Sequence, residues 1–171
     1  PIKTLKSNDV FEEAFIFATN GTELSTEWSK SIVNECNKIK REISSQDINS
    51  RKDLRSLNFV TIDGSNAKDF DDAVYAEESS DGFLLYVAIA DVSEYVLQNS
   101  SLDKEAFSRA TSVYFEKKVI PMLPELISNK LCSLRPKEDK LVLTCEIYLN
   151  RKGEIKSFEF FNSVICSKNR L

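Results

Sequence analysis

The sequence predicts an α+β fold: a mixed or antiparallel sheet with flanking helices, preceded by a two-helix segment. Three observations predict it. Before residue 50, apolar residues recur at three- and four-residue steps, the helical period. From Leu57 onward they gather instead in short β runs separated by Gly, Asn, Asp and Ser. The chain of 171 residues is 42% apolar and 29% charged with only 4 Gly and 4 Pro, which is globular usage and not that of a linker or collagen-like sequence. That length suits one domain, or one domain with an appendage, and a core that buries on the order of two-thirds of the unfolded surface.

Taken in order, the first element is a helix over residues 8–18. Ser7 or Asn8 caps it, Asp9, Glu12 and Glu13 favour its positive end, and Val10, Phe11, Ala14, Phe15 and Ala18 form its apolar face. Asn20-Gly21 ends it, since both residues tolerate the left-handed conformation. A longer helix after Ser25 carries Trp28, Ile32, Cys36, Ile39 and Ile43 on one side. The polar, aperiodic run 44–50 marks a boundary, giving a helical segment 1–50 and a main domain 51–171. Within the latter, Phe59–Ile62 reads as a buried strand ending at Asp63-Gly64. Ala73–Ala76 and Phe83–Ala90 read as strands joined by Ser79-Ser80-Asp81-Gly82. A helix follows over Leu102–Ala110, and Pro124 suits the first turn of a short helix through Leu131. Leu141–Leu149 and Ile155–Ile165 form a hairpin through Asn150-Arg151-Lys152-Gly153.

Composition excludes several chemistries. The chain has 0 His, so histidine triads, histidine bases and His-ligated zinc are impossible within it. Cys36, Cys132, Cys145 and Cys166 show no Cys-x-x-Cys spacing and read as reduced, small apolar residues. The longest uninterrupted apolar run, Phe83–Ala90, is eight residues, far short of a membrane span. Pro1-Ile2-Lys3-Thr4 is neither a signal peptide nor an initiator Met, so the chain reads as a piece of a longer one. The net charge of −4 rules out a uniform basic coat for nucleic acid. Its distribution is uneven: residues 63–72 hold four Asp and one Lys, whereas residues 151–170 hold five basic and two acidic residues.

The acidic segment is the candidate site. Asp63, Asp69, Asp71 and Asp72 fall within ten residues between two predicted strands. Carboxylates so crowded raise one another's pKa unless cations neutralise them. Their hard oxygens suit Mg²⁺ or Mn²⁺, and a pair of such ions can hold a phosphodiester and activate water without histidine. A solvated acidic loop explains the same acid count equally well. An EF-hand does not, because Gly64 directly follows the first Asp.

Longer stretches resemble a known family. Asp53-Leu54-Arg55, Thr61 to Val74, Ile89-Ala90-Asp91-Val92-Ser93, Thr111 to Phe115, Val119 to Glu125, Ser128-Asn129, Leu131 to Leu134 and Cys145-Glu146 are similar, in order, to the catalytic (RNB-type) domain of the RNase II/RNase R family of 3′→5′ exoribonucleases, nearer to its RNase R branch. The similarity runs nearly continuously over 53–171, and residues 1–50 resemble the segment joining the family's cold-shock domains to that domain. It implies that Asp63, Asp69, Asp71 and Asp72 are the catalytic aspartates, binding Mg²⁺ and positioning the attacking water, with Asp71 indispensable for cleavage. It implies base stacking by Tyr114, and places Arg109 and Asn129 on RNA-contacting positions where a structural role serves equally well. Ala110 stands where the family usually has Gly, and Glu94 where an aromatic residue or His is common.

The implied function is Mg²⁺-dependent hydrolysis of single-stranded RNA from its 3′ end to nucleoside 5′-monophosphates, in the cytoplasm and without a membrane partner. The implied chain is the first part of the catalytic domain, inactive alone, its cold-shock, S1 and second-half catalytic segments lying elsewhere in the parent. The alternative is a non-catalytic RNA- or protein-binding module that retains the fold.

Overall fold

The computed structural model describes residues 10–20, 22, 25–65 and 67–171. The expected cap at Ser7 or Asn8, the first-turn charge of Asp9, the stop at Gly21 and Asn66 of the acidic segment lie outside the described residues. The chain divides into two compact units, Pro1–Lys38 with Gln98–Pro124, and Ile39–Leu97 with Glu125–Leu171.

The first unit holds α1 (Val10–Thr19), α2 (Lys30–Lys38), α4 (Ser101–Arg109) and a small ribbon of β5 (Val113–Tyr114) against β6 (Val119–Ile120). In α1, Phe15 meets Phe115 edge-on with ring centroids 4.9 Å apart, and the Lys117 ammonium lies 3.9 Å from the Phe11 ring centroid. Ile32 and Cys36 of α2 and Leu102 and Ala106 of α4 are buried, and α2 packs on α4. Glu35 of α2 accepts the N–H groups of Ser101 (2.9 Å) and Leu102 (3.2 Å), so a carboxylate satisfies the first donors of α4 where its dipole is positive. Ser100 caps the same end by accepting from Asp103 N–H at 3.1 Å. At the other end Ala110 sits at φ +62°, the left-handed region that favours glycine.

The second unit holds α3 (Ser45–Asn49) and a seven-stranded mixed sheet in the order β1-β8-β7-β4-β3-β2-β9. Its strands are β1 (Lys52–Asp53), β2 (Val60–Thr61), β3 (Asp72–Ser79), β4 (Gly82–Ala90), β7 (Asp139–Asn150), β8 (Ile155–Cys166) and β9 (Asn169–Arg170). The middle is antiparallel, while β1 on β8 and β9 on β2 are parallel. Both expected hairpins form. Gly82 is required in one, because a Cβ there would stand 1.9 Å from the Leu149 carbonyl oxygen. Gly153 supplies φ +80° in the other, where the Asn150 side chain accepts from the N–H groups of Lys152 and Glu154 at 2.9 Å each. The two-residue alternation separates the faces: Ala73, Tyr86, Ala88, Val142, Thr144 and Ser163 are buried, and the Thr144 and Ser163 hydroxyls bond across the strands at 2.6 Å. The opposite face keeps Ile89, Leu143, Phe158 and Phe160 exposed.

Three expectations are corrected. The helix after Ser25 ends at Lys38, short of Ile39 and Ile43. The polar run 44–50 is not irregular but holds α3 behind a capping box: Ser44 accepts from Asp47 N–H while Asp47 accepts from Ser44 N–H at 2.7 Å. A new cap at Ser44 defines a separate helix, which the apolar period alone does not reveal. The strand 59–62 shrinks to Val60–Thr61, with Ile62 exposed. Pro124 opens the expected short helical stretch, which widens into a π-helical turn at Ile127–Leu131. Among the described residues no helix is long and apolar enough to cross a membrane.

Candidate active site in the acidic segment

The four aspartates lie at one end of the second unit's sheet. Asp63 follows β2 by two residues, and Asp72 is the first residue of β3, paired with Ile89. Between them the chain is held by its main chain. Phe70 is buried; its N–H donates to the Ser133 hydroxyl at 3.1 Å and its carbonyl accepts from Leu134 N–H at 2.8 Å. The Ser133 hydroxyl donates onward to the Lys68 carbonyl at 3.0 Å, and Asp71's carbonyl accepts from Ala90 N–H at 2.9 Å. At the Asp63 end, Arg170 of β9 donates to the carbonyls of Asp63, at 3.4 Å, and Gly64.

This scaffold leaves the carboxylates in mutual electrostatic reach. Asp71 is exposed as a residue, yet protein atoms crowd its carboxyl. Lost hydration first, then Asp69, Asp72 and Asp63, push its pKa above the ordinary carboxylate value. Among the described residues no Lys or Arg forms a salt bridge with Asp63, Asp71 or Asp72. Also among them, no three carboxylates or thiols converge on one point where a metal could sit. The segment gathers four hard donors without closing them into a cage. The donor chemistry fits a hard divalent cation, which takes only one or two protein carboxylates and fills its remaining positions with water and substrate phosphate.

The surroundings make other chemistries poor. All four cysteines are unpaired. Cys132, next to Ser133, has its thiol pushed up to about 12, chiefly by burial and against the pull of Lys140, with Asp71 and Asp91 adding to the rise. It is no nucleophile at neutral pH. Behind the site, Asp91 accepts from Arg51 at 2.7 Å and from Ser93 at 2.6 Å, and Arg51, its side chain only 6% exposed, also reaches Glu94 at 2.8 Å.

The other expected site residues are placed separately. Tyr114, in the first unit, is 66% exposed on the β5–β6 ribbon. Arg109 of the same unit is occupied structurally: it bonds Glu105 at 2.8 Å, the Pro121 carbonyl at 3.2 Å and the Glu27 carbonyl at 3.3 Å, and its guanidinium lies 3.9 Å from the Trp28 ring centroid. Its donors hold this unit together and do not stand open to a phosphate. Asn129 sits in the π-helical turn of the second unit and accepts from the Ser128 hydroxyl at 3.0 Å. Sequence reasoning missed Ser133 and Arg170 as supports of the aspartates; both act from across the unit, and although Ser133 falls in a stretch that carries the family resemblance, nothing local ties either to the aspartates.

Comparison with known proteins gives concordant results. The RNB domain family matches residues 51–171. Ribonuclease R of Buchnera aphidicola subsp. Acyrthosiphon pisum is 48% identical over 146 residues, 84% of this chain and 20% of that protein. Ribonuclease R of Mycoplasmopsis pulmonis is 42% identical over 170 residues, 99% of this chain and 23% of that protein. Among solved structures, Mycoplasma genitalium RNase R in complex with ribose methylated single-stranded RNA superposes with a TM-score of 0.80 at 40% identity, covering 85% of this chain and 23% of that one. The chain thus spans about a fifth of the length of the curated relatives it matches.

Proposed function

This chain belongs to the RNB domain family, and on that premise we propose that it is the first part of the catalytic domain of a metal-dependent 3′→5′ exoribonuclease. Its substrate is the 3′ end of single-stranded RNA, its product nucleoside 5′-monophosphates, and its compartment the cytoplasm, in keeping with four unpaired cysteines. The identity to Ribonuclease R proteins and the likeness to an RNase R bound to RNA support this reading. The observation that carries it is the gathering of Asp63, Asp69, Asp71 and Asp72 on one segment whose main chain is anchored by Ser133, Leu134, Ala90 and Arg170.

Asp63, Asp69, Asp71 and Asp72 are the residues that would hold Mg²⁺, one or two carboxylates to an ion, with Mn²⁺ as the other suitable ion. When bound, the ion supplies charge neutralisation for the phosphate and lowers the barrier to attack by water. The aspartates alone repel an RNA backbone, so substrate and cation bind together. Water attacks the phosphorus of the last phosphodiester, the P–O3′ bond breaks, and the shortened RNA keeps a 3′ hydroxyl. The exposed ring of Tyr114 offers a stacking face to a base without reading its identity. Arg109 serves the fold through Glu105, Trp28 and two carbonyls, and Asn129 is the other polar candidate for RNA contact. The cold-shock, S1 and remaining catalytic segments that complete RNA positioning belong to the rest of the parent protein, so this chain alone binds the cation weakly and does not degrade RNA.

The test is Mg²⁺-dependent release of nucleoside 5′-monophosphates from an RNA oligomer by the full parent protein. Asp71→Asn is expected to abolish release and to spare RNA binding, because it removes one charge from the ion site and leaves the rest of the surface intact. Wild-type turnover by that variant at saturating Mg²⁺ refutes the reading.

A further inference from the structure

We infer that Arg170 is a positioning residue that fixes Asp63 relative to Asp69, Asp71 and Asp72 by tying the main chain at the Asp63 end of the acidic segment to the anchored Phe70 ring at the other end. The inference rests on the metal-site reading above and adds to it the group that sets the spacing of the ligands.

The backbone of Arg170 is itself fixed. β9 lies parallel to β2 with Arg170 opposite Thr61, and the pairing is closed on either side by Leu171 N–H on the Thr61 carbonyl (2.9 Å) and Lys168 N–H on the Phe59 carbonyl (2.8 Å). Arg170 therefore starts beside the residue that leads into Asp63. From there one guanidinium nitrogen reaches the carbonyls of Asp63 and Gly64, the first end of the segment. The guanidinium carbon lies 5.1 Å from the ring centroid of Phe70, which stands between Asp69 and Asp71 at the other end. Phe70 is 7% exposed and cannot drift, because Ser133 and Leu134 hold both of its main-chain groups. One planar side chain thus ties the turn that carries Asp63 to the anchored Phe70.

The choice of acceptors matters. Set among aspartates, Arg170 donates to main-chain oxygens and makes no salt bridge with Asp63, Asp71 or Asp72. Those carboxylate oxygens stay available to a cation. The flat, forked guanidinium can stack and donate at once, which a lysine ammonium on a flexible stem cannot.

The sign of the effect distinguishes positioning from simple charge. A positive group that merely neighbours a cation site weakens cation binding, so deleting it tightens binding; a group that places the ligands does the opposite. Titration of Mn²⁺ into this chain, followed by water-proton relaxation, is to be run on wild type, Arg170→Lys, Arg170→Ala and Asp71→Asn, with thermal unfolding and the Gly64 amide shift recorded for each. Both Arg170 variants are expected to bind Mn²⁺ about tenfold more weakly, the usual loss when a residue orienting metal ligands is removed. The melting temperature of Arg170→Lys should stay within about 2 °C of wild type, and the Gly64 amide should shift. Wild-type affinity in Arg170→Lys, tighter binding in Arg170→Ala, or a melting temperature in Arg170→Lys that falls together with affinity each overturns the inference. Asp71→Asn separates it from its premise. If that variant loses Mn²⁺ while both Arg170 variants keep it, Arg170 alone is misassigned; if it binds Mn²⁺ as wild type does, the metal-site reading falls and this inference with it.

Discussion

Ser133→Ala isolates the main-chain anchor of the acidic segment. Ser133 is fully buried and lies far from the aspartates in sequence, yet its one oxygen accepts from Phe70 N–H and donates to the Lys68 carbonyl. Replacing it with alanine removes a single oxygen, so no cavity of consequence opens and the effect is one of hydrogen bonding. The two orphaned partners differ. Lys68 is exposed and its carbonyl can turn to water, whereas Phe70 is buried and its N–H donates to the Ser133 hydroxyl that the substitution removes. A buried donor left without a partner costs about 1–3 kcal/mol, and the Lys68 side adds little. An expected loss of about 2 kcal/mol lowers the melting temperature by about 4–8 °C for a chain of this size. Urea unfolding should show a lower midpoint at unchanged slope, and hydrogen exchange at the Phe70 amide should quicken more than at Val164 in the core of β8. The same variant should weaken Mn²⁺ binding, because the loop carrying Asp69, Asp71 and Asp72 loses its tether. A stability loss under about 0.5 kcal/mol with unchanged protection of Phe70 would refute the claim that Ser133 holds the segment.

Two further substitutions test the frame around the site. Asp91→Asn leaves the buried Arg51 guanidinium with only the exposed Glu94 as its carboxylate, and should cost about 3 kcal/mol at pH 7. Burial pushes the Asp91 carboxyl up, but Ser93 and Arg51 outweigh it and hold the pKa below the ordinary value. The stabilisation is therefore present above the unfolded carboxylate pKa of about 3.9 and is lost as pH falls through the lower folded value. The gap between wild type and Asp91→Asn in urea unfolding should close on going from pH 7 toward pH 2, and a gap independent of pH counts against the ion pair as its source. Ala110→Gly should stabilise the chain by about 0.5–1 kcal/mol, because Ala110 is held at φ +62°, where a Cβ is penalised and glycine is not; a lower melting temperature in that variant contradicts the backbone argument.

How much could be read beforehand depends on how far a signal reaches along the chain. The strands β3, β4, β7 and β8 and the helix α4 were legible because each is long enough to repeat a period, and burying one face imposes that period locally. The hairpin turns were legible because Gly82 and Gly153 answer local backbone demands. The acidic segment stood out locally because four carboxylates fall within ten residues between two strands, although that count alone suits a solvated loop equally well. The end of α2 was misjudged: its apolar period continues on paper to Ile43, but the helix stops at Lys38 and a separate helix starts behind the Ser44–Asp47 capping box.

The sequence by itself determined the fold class, the exclusion of histidine chemistry and the place of the carboxylates. Only the tertiary structure decided what those carboxylates rest on. The two-residue strands β1, β2, β5, β6 and β9 are too short to show any period and exist through the partners they pair with. Arg170 lies 106 residues from Gly64, and Ser133 lies 63 from Phe70. Arg109, a candidate for RNA on paper, is enclosed by Trp28, Glu105 and two carbonyls. Propensity and period report how a short stretch meets its own neighbours and the solvent. They carry no record of which distant segment arrives on the other side, and at this site that arrival sets which side chains support the aspartates.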